Sequence, residues 1–169
     1  MTSLPTYEQL VQLPATFDRV VPEEFIDENG HMNIGDYFRL CSHALWNATI
    51  AAGLGDDYIE EHQQSLFTVE QHMRYYGELR LGQRFTVHTR LLERSARVVH
   101  GMSFVVDQEK RALACTQEAT LVHVSTASRS TVDLPEAIGE ALDTQITAGD
   151  ALGWSAPVCG SMGIRRRQV

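Results

Sequence analysis

The hydrophobic pattern of the chain changes its period once, and this change limits the folds open to it. Apolar residues recur at steps of three and four from Ile34 to Ala52, which is the spacing of one face of a helix about five turns long. From residue 65 to residue 125, apolar and polar residues alternate instead, as they do in strands with one buried face. The sequence therefore predicts one long helix followed by an extended sheet.

The predicted helix has recognisable ends. Asn33 is a residue type that caps helix N-termini, and Asp36 places a negative charge in the first turn, where the helix dipole is positive. Gly53 and Gly55 favour termination, and residues 56–64 suit a second, short helix. The face that we expect to be buried consists of Ile34, Phe38, Cys41, Leu45, Ala48 and Ala52.

Five strands are predicted around this helix. A short strand precedes it at residues 16–21, and four long strands follow it, of which the last two cover residues 97–108 and 111–125. Residues 77–82 and 109–111 are predicted turns. Connections this short favour an antiparallel meander.

The C-terminal part of the chain is less strongly patterned. Pro135 can open a short helix that runs through Leu142. Beyond it the periodicity is weak. We therefore expect one domain over residues 1–142 and a C-terminal tail over residues 143–169 that packs on it.

This order of elements predicts an α+β fold. One helix cannot cover both faces of such a sheet, but the sheet can wrap around the helix. An antiparallel sheet wrapped around a long central helix is the hotdog fold. Its uncovered strand edges favour pairing with a second copy, so we expect a homodimer, or a tetramer built from such dimers.

Composition excludes several classes of function. The net charge of -8 at pH 7 argues against a nucleic-acid-binding protein. No apolar run approaches the roughly 20 residues of a membrane span, and the N-terminus does not resemble a secretion signal. Three cysteines without a CxxC motif fit a reducing compartment, and the seven histidines show no zinc-site spacing. We expect a cytoplasmic protein without a metal or cofactor.

The most informative segment is Asp27-Glu28-Asn29-Gly30-His31-Met32-Asn33, directly before the long helix. With the apolar helix that contains Tyr37, it resembles the hotdog acyl-CoA thioesterases of the 4-hydroxybenzoyl-CoA thioesterase type. Its Asp-x-Asn-x-His core also resembles the plant acyl-ACP thioesterases, and the resemblance covers about residues 16–125. It implies that the substrate is a coenzyme A thioester and that no cofactor takes part.

Thioester hydrolysis suits this placement chemically. Asp27 can act as nucleophile or as general base, and the amide of Ile34 at the helix N-terminus can donate to the oxyanion. His31 can donate a hydrogen bond or move a proton near neutral pH, and Asn29 can hold water, the substrate carbonyl or Asp27 itself. The resemblance assigns these same roles to Asp27 and to the Ile34 amide.

The motif also departs from its relatives, and it has a simpler explanation. Many relatives carry an acidic residue where this chain has Phe25, and a second Asn where it has Ile34. In addition, Asp-x-Asn-Gly is a favourable turn sequence by itself, because Asn and Gly tolerate positive φ.

Further residues are candidates for substrate and CoA contacts. Strict alternation places Glu70 on one strand face with Thr68, His72 and Arg74, opposite Phe67, Val69 and Met73. We expect substrate contacts from Asn33, Tyr37, Trp46, Glu70 and Tyr75. Arginines grip phosphates in bidentate fashion, and the candidates for CoA are Arg74, Arg84 and Arg97.

The acyl group is predicted to be short or polar. Residues 67–104 resemble thioesterases linked to carnitine breakdown, whose substrate resembles betainyl-CoA. Trp46 or Tyr75, together with Glu70, is a candidate cage for a quaternary ammonium group.

Two alternatives remain open from the sequence. Hotdog hydratases and dehydratases also use His and a carboxylate, but the hydratase loop has the spacing Asp-x4-His, whereas here it is Asp27-x3-His31. A non-catalytic acyl-CoA-binding protein is the other alternative, although such a protein has no need for Asp27.

Overall fold

The computed structural model describes residues 3–164, so the end of the predicted tail, residues 165–169, lies outside the described residues. The elements in chain order are α1 (Tyr7–Leu10), β1 (Ala15–Val20), a 3-10 helix (Glu23–Phe25), α2 (Ile34–Ile50), α3 (Asp56–His62), β2 (Gln64–Tyr75), β3 (Arg84–Arg94), β4 (Val98–Asp107), β5 (Ala112–Ser125), β6 (Ser130–Thr131) and α4 (Glu136–Asp150).

The sheet is antiparallel, and it wraps around α2. Its strand order is β1-β3-β4-β5-β2, with the short β6 paired to β5. The helix packs closely on β4, because a Cβ at Gly101 would stand 2.7 Å from Leu45 Cδ1 and would displace that side chain. Ser103 Oγ donates to the Cys41 carbonyl at 3.0 Å, which ties the sheet to the middle of the helix. The predicted α+β hotdog fold is confirmed.

The predicted meander is wrong at one connection. β2 pairs with β5 rather than with β3, and β1 occupies the place beside β3. Residues 76–83 therefore cross from the edge strand β2 to β3, which lies next to the opposite edge strand β1. Leu79 anchors the crossing, because its amide donates to Tyr37 Oη at 2.9 Å and its carbonyl accepts from Met32 N at 2.8 Å. These bonds to the start of α2 replace the hairpin that the short loop suggested.

The predicted helix cap is confirmed, but the buried face of α2 is displaced. Asn33 Oδ1 accepts from Gly35 N at 2.8 Å, as a capping residue does. Ile34 and Phe38, expected in the core, are 65% and 41% exposed. The residues of α2 that the sheet buries are Tyr37, Leu40, Cys41, Ala44, Leu45 and Thr49. Cys41 and Leu45 are buried as expected, so the period of the pattern is correct. The buried face is shifted toward Tyr37, because the crossing segment covers that side of the helix.

A bulge in β2 changes which side chains share a face. Thr68 pairs with Leu121 of β5 and Glu70 pairs with Thr120, which leaves Val69 as an extra residue without a partner. Adjacent residues of β5 point to opposite faces of the sheet. Thr68 and Glu70 therefore point to opposite faces too, although strict alternation predicts that they share one.

The side of the sheet that faces α2 is here called the inner face, and the other side the outer face. Gln117 of β5 marks the inner face, because its side chain donates to Ser42 of α2 at 3.0 Å. Gln117 pairs with Met73, so Met73 and Tyr75 lie on the inner face together with Thr68. The outer-face residues of β2 include Phe67, Glu70, His72 and Arg74.

The predicted short helix ending at Leu142 is longer. α4 continues to Asp150, so the predicted domain boundary after residue 142 falls inside it. Arg94 of β3 donates to Asp143 at 2.7 Å, and Arg90 donates to Asp150 at 3.0 Å. Polar side chains thus hold the second half of α4 on the sheet, which explains why its apolar periodicity is weak.

The segment after α4 crosses the outer face. Trp154 packs edge-on against Phe104 of β4, with ring centroids 5.7 Å apart, and both belong to an apolar cluster that also includes Leu10 of α1. Within residues 3–164, no helix is both long and apolar enough to cross a membrane.

The free edge of β2 generates a prediction about assembly. This edge is 12 residues long and carries Val69, whose side chain is 61% exposed. Because unpaired backbone N–H and C=O groups along a strand edge favour pairing with another strand, we expect sedimentation to show a homodimer that Val69→Asp converts to monomer. Val20→Asp, on the opposite edge strand β1, is the matched control and leaves the dimer intact. A wild-type monomer at assay concentration contradicts this prediction.

Candidate active site

The loop before α2 holds the Asp27 carboxylate in a turn. Asn29 N donates to Asp27 Oδ1 at 2.9 Å, and Gly30 N donates to the Asp27 carbonyl at 3.0 Å. Gly30 has φ +78°, which other residue types adopt with strain. The turn explanation of this motif is therefore correct, and the turn also orients the carboxylate. The Asn29 side chain is exposed, so the contact of Asn29 with Asp27 is made by its backbone.

His31 stands next to this carboxylate. Its Nδ1 lies 3.8 Å from Asp27 Oδ1, and the side chains of Asp27 and His31 are 10% and 32% exposed. Nδ1 also lies 3.2 Å from the Met32 carbonyl. Since a carbonyl only accepts, Nδ1 carries the hydrogen in the neutral ring, and Nε2 is left as an acceptor.

The first turn of α2 leaves one amide available. The Asn33 side chain occupies Gly35 N, and the Asn33 carbonyl accepts from Asp36 N at 3.0 Å. Within residues 3–164, Ile34 N makes no hydrogen bond. An unpaired amide at the positive end of a helix is suited to a developing oxyanion. The Asn33 side chain, a predicted substrate contact, is already engaged as the cap.

A cavity of about 260 Å³ opens beside this turn. It is lined by His31, Met32, Ile34, Tyr37, Tyr75, Gly77 and Glu78. His31 and Ile34 thus border the same cavity as the two tyrosines, whereas Asp27 is not one of its lining residues. Glu78 was not among the predicted site residues, because it lies in a segment expected to be an ordinary turn; its carboxylate is paired with Arg80 at 2.8 Å.

Tyr37 and Tyr75 form the aromatic wall. Their rings meet edge to face, with centroids 5.5 Å apart and planes at 79°. Burial raises the pKa of Tyr37 to about 12, so its hydroxyl is neutral near pH 7 and accepts the hydrogen bond from Leu79. Tyr37 therefore packs in the core and also lines the cavity, whereas Tyr75 is about half exposed.

Two predicted substrate contacts lie elsewhere in the protomer. Trp46 is 12 residues beyond Ile34, about 18 Å along the helix axis, and packs on the apolar cluster around Leu45 and Leu121. Glu70 is exposed on the outer face because of the bulge in β2. The predicted cage of Trp46 or Tyr75 with Glu70 does not form within one protomer.

The predicted CoA-binding arginines are not gathered in one place. Arg84 begins β3 and donates to Asp18 at 2.8 and 2.6 Å, which raises the pKa of the guanidinium and lowers that of Asp18. Arg97 lies at the opposite end of the β3–β4 hairpin, roughly 33 Å away, and is ion-paired with Asp133. These two side chains cannot bind the same phosphate group from one protomer.

Arg74 lies near the active-site end of the sheet but on the outer face. It lines a second cavity, of about 470 Å³, with Tyr76 and Cys159 among the other lining residues. Strand β2 thus separates this cavity from the one that Tyr75 lines.

Fold and site together define a hotdog protein with a carboxylate and an imidazole at the N-terminus of its central helix. The chain belongs to the thioesterase-like superfamily, whose family model matches residues 20–142. The resemblance seen in the motif before α2 is thereby confirmed at the level of the family.

Several curated relatives carry names that include betainyl-CoA thioesterase. A protein of Agrobacterium fabrum named L-carnitine dehydrogenase/betainyl-CoA thioesterase is 35% identical over 122 residues, which are 70% of this chain and 24% of that protein. The betainyl-CoA thioesterase of Pseudomonas aeruginosa is 30% identical over 115 residues, which are 68% of this chain and 72% of that protein. The chain spans about a quarter of the length of the first three relatives, which carry both names.

Solved structures agree on the fold. A protein of Staphylococcus aureus determined in complex with CoA has a TM-score of 0.74 at 26% identity, over 78% of this chain and 82% of that one. A 1,4-dihydroxy-2-naphthoyl-CoA thioesterase of Synechocystis has a TM-score of 0.68 at 18% identity, over 76% of this chain and 95% of that one.

The anchor between Tyr37 and Leu79 generates a prediction about stability. Tyr37→Phe leaves the buried Leu79 amide without an acceptor, and we expect the free energy of unfolding in urea to fall by about 1–3 kcal/mol. The matched control is Tyr75→Phe, because within residues 3–164 the Tyr75 hydroxyl makes no hydrogen bond. Its effect should stay below about 0.5 kcal/mol. Equal losses in the two variants would show that this hydrogen bond is not an anchor.

Proposed function

We propose that this protein hydrolyses an acyl-CoA thioester to the free acid and CoA. The observation that carries the proposal is the nearly buried Asp27 carboxylate in the short loop that leads directly to the unpaired amide of Ile34, the first residue of α2. A thioester needs a group that attacks its carbonyl carbon, or activates water to do so, and a donor for the oxygen that becomes negative. This loop supplies both, and the family to which the chain belongs supports the same chemistry.

In the proposed reaction the thioester carbonyl lies in the cavity with its oxygen on Ile34 N. Attack at the carbonyl carbon moves charge onto this oxygen, which the amide and the helix dipole stabilise. Collapse of the intermediate breaks the C–S bond and releases CoA as the thiol. His31 borders the cavity, and its Nε2 can take up and return a proton during these steps.

Asp27 can act in this scheme as general base or as nucleophile. An experiment in water enriched in heavy oxygen distinguishes the two roles. As general base, Asp27 takes a proton from water, and the oxygen of that water enters the product acid. As nucleophile, it forms an anhydride, and attack of water at the Asp27 carbonyl places the new oxygen in the enzyme. A single turnover in water enriched in heavy oxygen therefore labels the product in the first case and Asp27 in the second.

The role of Asp27 can be tested by a nearly isosteric substitution. We expect Asp27→Asn to lower thiol release by about 10²–10⁴-fold or more, because the amide is neither a base nor a comparable nucleophile. Glu28→Gln, at the exposed neighbouring carboxylate, is the matched control and should retain wild-type turnover.

The assay includes outcomes that contradict the proposal. Circular dichroism will show whether the Asp27→Asn protein is folded. If the folded variant keeps more than about a tenth of the wild-type turnover, the loss is far smaller than the ~10²-fold minimum expected for a catalytic base, and the chemistry takes place elsewhere. Tight binding of acyl-CoA by the wild type without thiol release identifies a binding protein instead. Loss of enoyl-CoA absorbance without thiol release identifies a hydratase.

We propose a short acyl group that carries a quaternary ammonium, of which betainyl-CoA is the example. A cavity of about 260 Å³ is smaller than the roughly 300–1,000 Å³ of most ligand sites, which disfavours long chains. Its wall of Tyr37 and Tyr75 presents aromatic rings, and Glu78 adds a carboxylate at the rim, partly neutralised by Arg80. The names of the relatives from Agrobacterium fabrum and Pseudomonas aeruginosa, which both include betainyl-CoA thioesterase, support the same substrate.

The specificity constant compares these substrates directly. We expect kcat/KM to rank betainyl-CoA above hexanoyl-CoA, and hexanoyl-CoA above palmitoyl-CoA. Tyr75→Leu should reduce the constant for betainyl-CoA by about two- to thirtyfold, corresponding to a cation–π contact of about 0.5–2 kcal/mol, and leave that for hexanoyl-CoA unchanged. Tyr76→Leu, whose ring lines the other cavity, is the matched control.

Two results would contradict the substrate proposal. Preference for palmitoyl-CoA removes both the short acyl group and the cation, whereas preference for hexanoyl-CoA removes only the cation.

For the CoA moiety, the position of the arginines favours Arg84 and Arg74 over Arg97. Arg84 begins β3 and Arg74 lies near the end of β2, at the end of the sheet where α2 starts, while Arg97 lies at the opposite end. We propose that the homodimer is the active unit, with the phosphates of CoA held by arginines at this end of the sheet.

A further inference from the structure

Three side chains from distant parts of the sequence meet on the outer face of the sheet. His72 on β2 and Glu118 on β5 are cross-strand partners, and Cys159 lies in the segment that crosses the outer face after α4. One nitrogen, one oxygen and one sulfur atom of these residues all lie within 4.8 Å of one another. The mechanism proposed for Asp27 uses none of them.

Glu118 is buried and held in position. Its side chain is 1% exposed, Oε1 lies 3.0 Å from His100 Nε2, and Oε2 accepts from Cys159 N at 2.7 Å. His100 Nδ1 in turn lies 3.3 Å from Glu93 Oε1, which accepts from Ile164 N at 3.0 Å. The carboxylate is thus fixed from both sides, as carboxylate ligands of metals commonly are.

The charges around this cluster are unbalanced. In the described part of the chain, the ion-pairing partner of both Glu93 and Glu118 is His100, and no Lys or Arg pairs with either. One imidazole can supply at most one positive charge to these two carboxylates, and burial of uncompensated charge is costly. A divalent cation bound to Glu118 would supply the missing positive charge.

We propose that His72, Glu118 and Cys159 form a Zn²⁺ site. Imidazole nitrogen, carboxylate oxygen and thiolate sulfur are the donors that zinc takes in proteins, whereas Mg²⁺ and Ca²⁺ select oxygen. Ligand atoms around tetrahedral zinc are roughly 3.3–3.8 Å apart, so the cluster closes by side-chain rotation. Binding replaces the Cys159 Sγ–H bond by an Sγ–Zn bond and releases the proton to solvent.

The fourth position of the ion is open to solvent in this arrangement. The second cavity, of about 470 Å³, is lined by Cys159, Arg74 and Tyr76, so water can complete the coordination. The ion would join β2, β5 and the segment after α4. It lies on the sheet face opposite Tyr75, so its role is to hold this segment on the sheet, not to take part in hydrolysis.

The test uses the full chain, stripped with a chelator and titrated with Zn²⁺ by calorimetry and with Co²⁺ by absorption spectroscopy. We expect one ion per chain and, with Co²⁺, the near-ultraviolet band of a cobalt–thiolate bond. Cys159→Ser should abolish this band, and His72→Gln should weaken Zn²⁺ binding by more than about tenfold. His43→Gln, an exposed histidine of α2 outside the cluster, is the matched control and should bind as the wild type does.

Hydrogen exchange adds a readout that does not depend on activity. Zn²⁺ should slow exchange of amides in residues 155–164 of the wild type but not of Cys159→Ser. Absence of stoichiometric binding, or binding that Cys159→Ser leaves unchanged, overturns the site. Stripped protein should keep its thioesterase activity, so failure of the site leaves the hydrolysis proposal standing. If stripping abolishes hydrolysis and Zn²⁺ restores it, the structural role is wrong.

Discussion

The burial of α2 against the inner face of the sheet is the interaction on which the rest of the molecule depends. The close approach at Gly101 and the bond from Ser103 to the Cys41 carbonyl set the depth of the helix. Tyr37 and Leu79 then fix its first turn to the segment that crosses between the sheet edges. Because the helix start cannot shift, the amides there keep a defined position relative to the Asp27 loop.

This rigidity explains how an exposed turn can carry a site. Phe25 and Met32, which flank the Asp27 turn, are buried in the core. In addition, Met32 N bonds to the crossing segment and Asn33 N bonds to the Phe25 carbonyl at 2.7 Å. The loop is therefore held at both ends by backbone bonds. These bonds and the burial of Phe25 and Met32 together place the carboxylate and the free Ile34 amide.

The bulge at Val69 determines which side chains of β2 lie on the inner face and which lie on the outer face. On the inner face Tyr75 borders the cavity beside α2, and on the outer face His72 meets Glu118 and Cys159. A strand without a bulge would exchange these faces beyond Thr68. One extra residue thus decides which side chains can reach the proposed thioester site and which can reach the proposed metal site.

The sequence by itself determined the helix with its Asn33 cap, the strand-rich remainder and the Asp27 motif, because periodicity, capping and turn chemistry act between neighbours along the chain. The partner strand of β2, the bulge that moved Glu70 outward and the extent of α4 were decided by long-range pairing, which leaves no local signal. The same reason hid the cluster of His72, Glu118 and Cys159. Ligands brought together from three separate segments have no characteristic spacing, so only the tertiary structure could show that they meet.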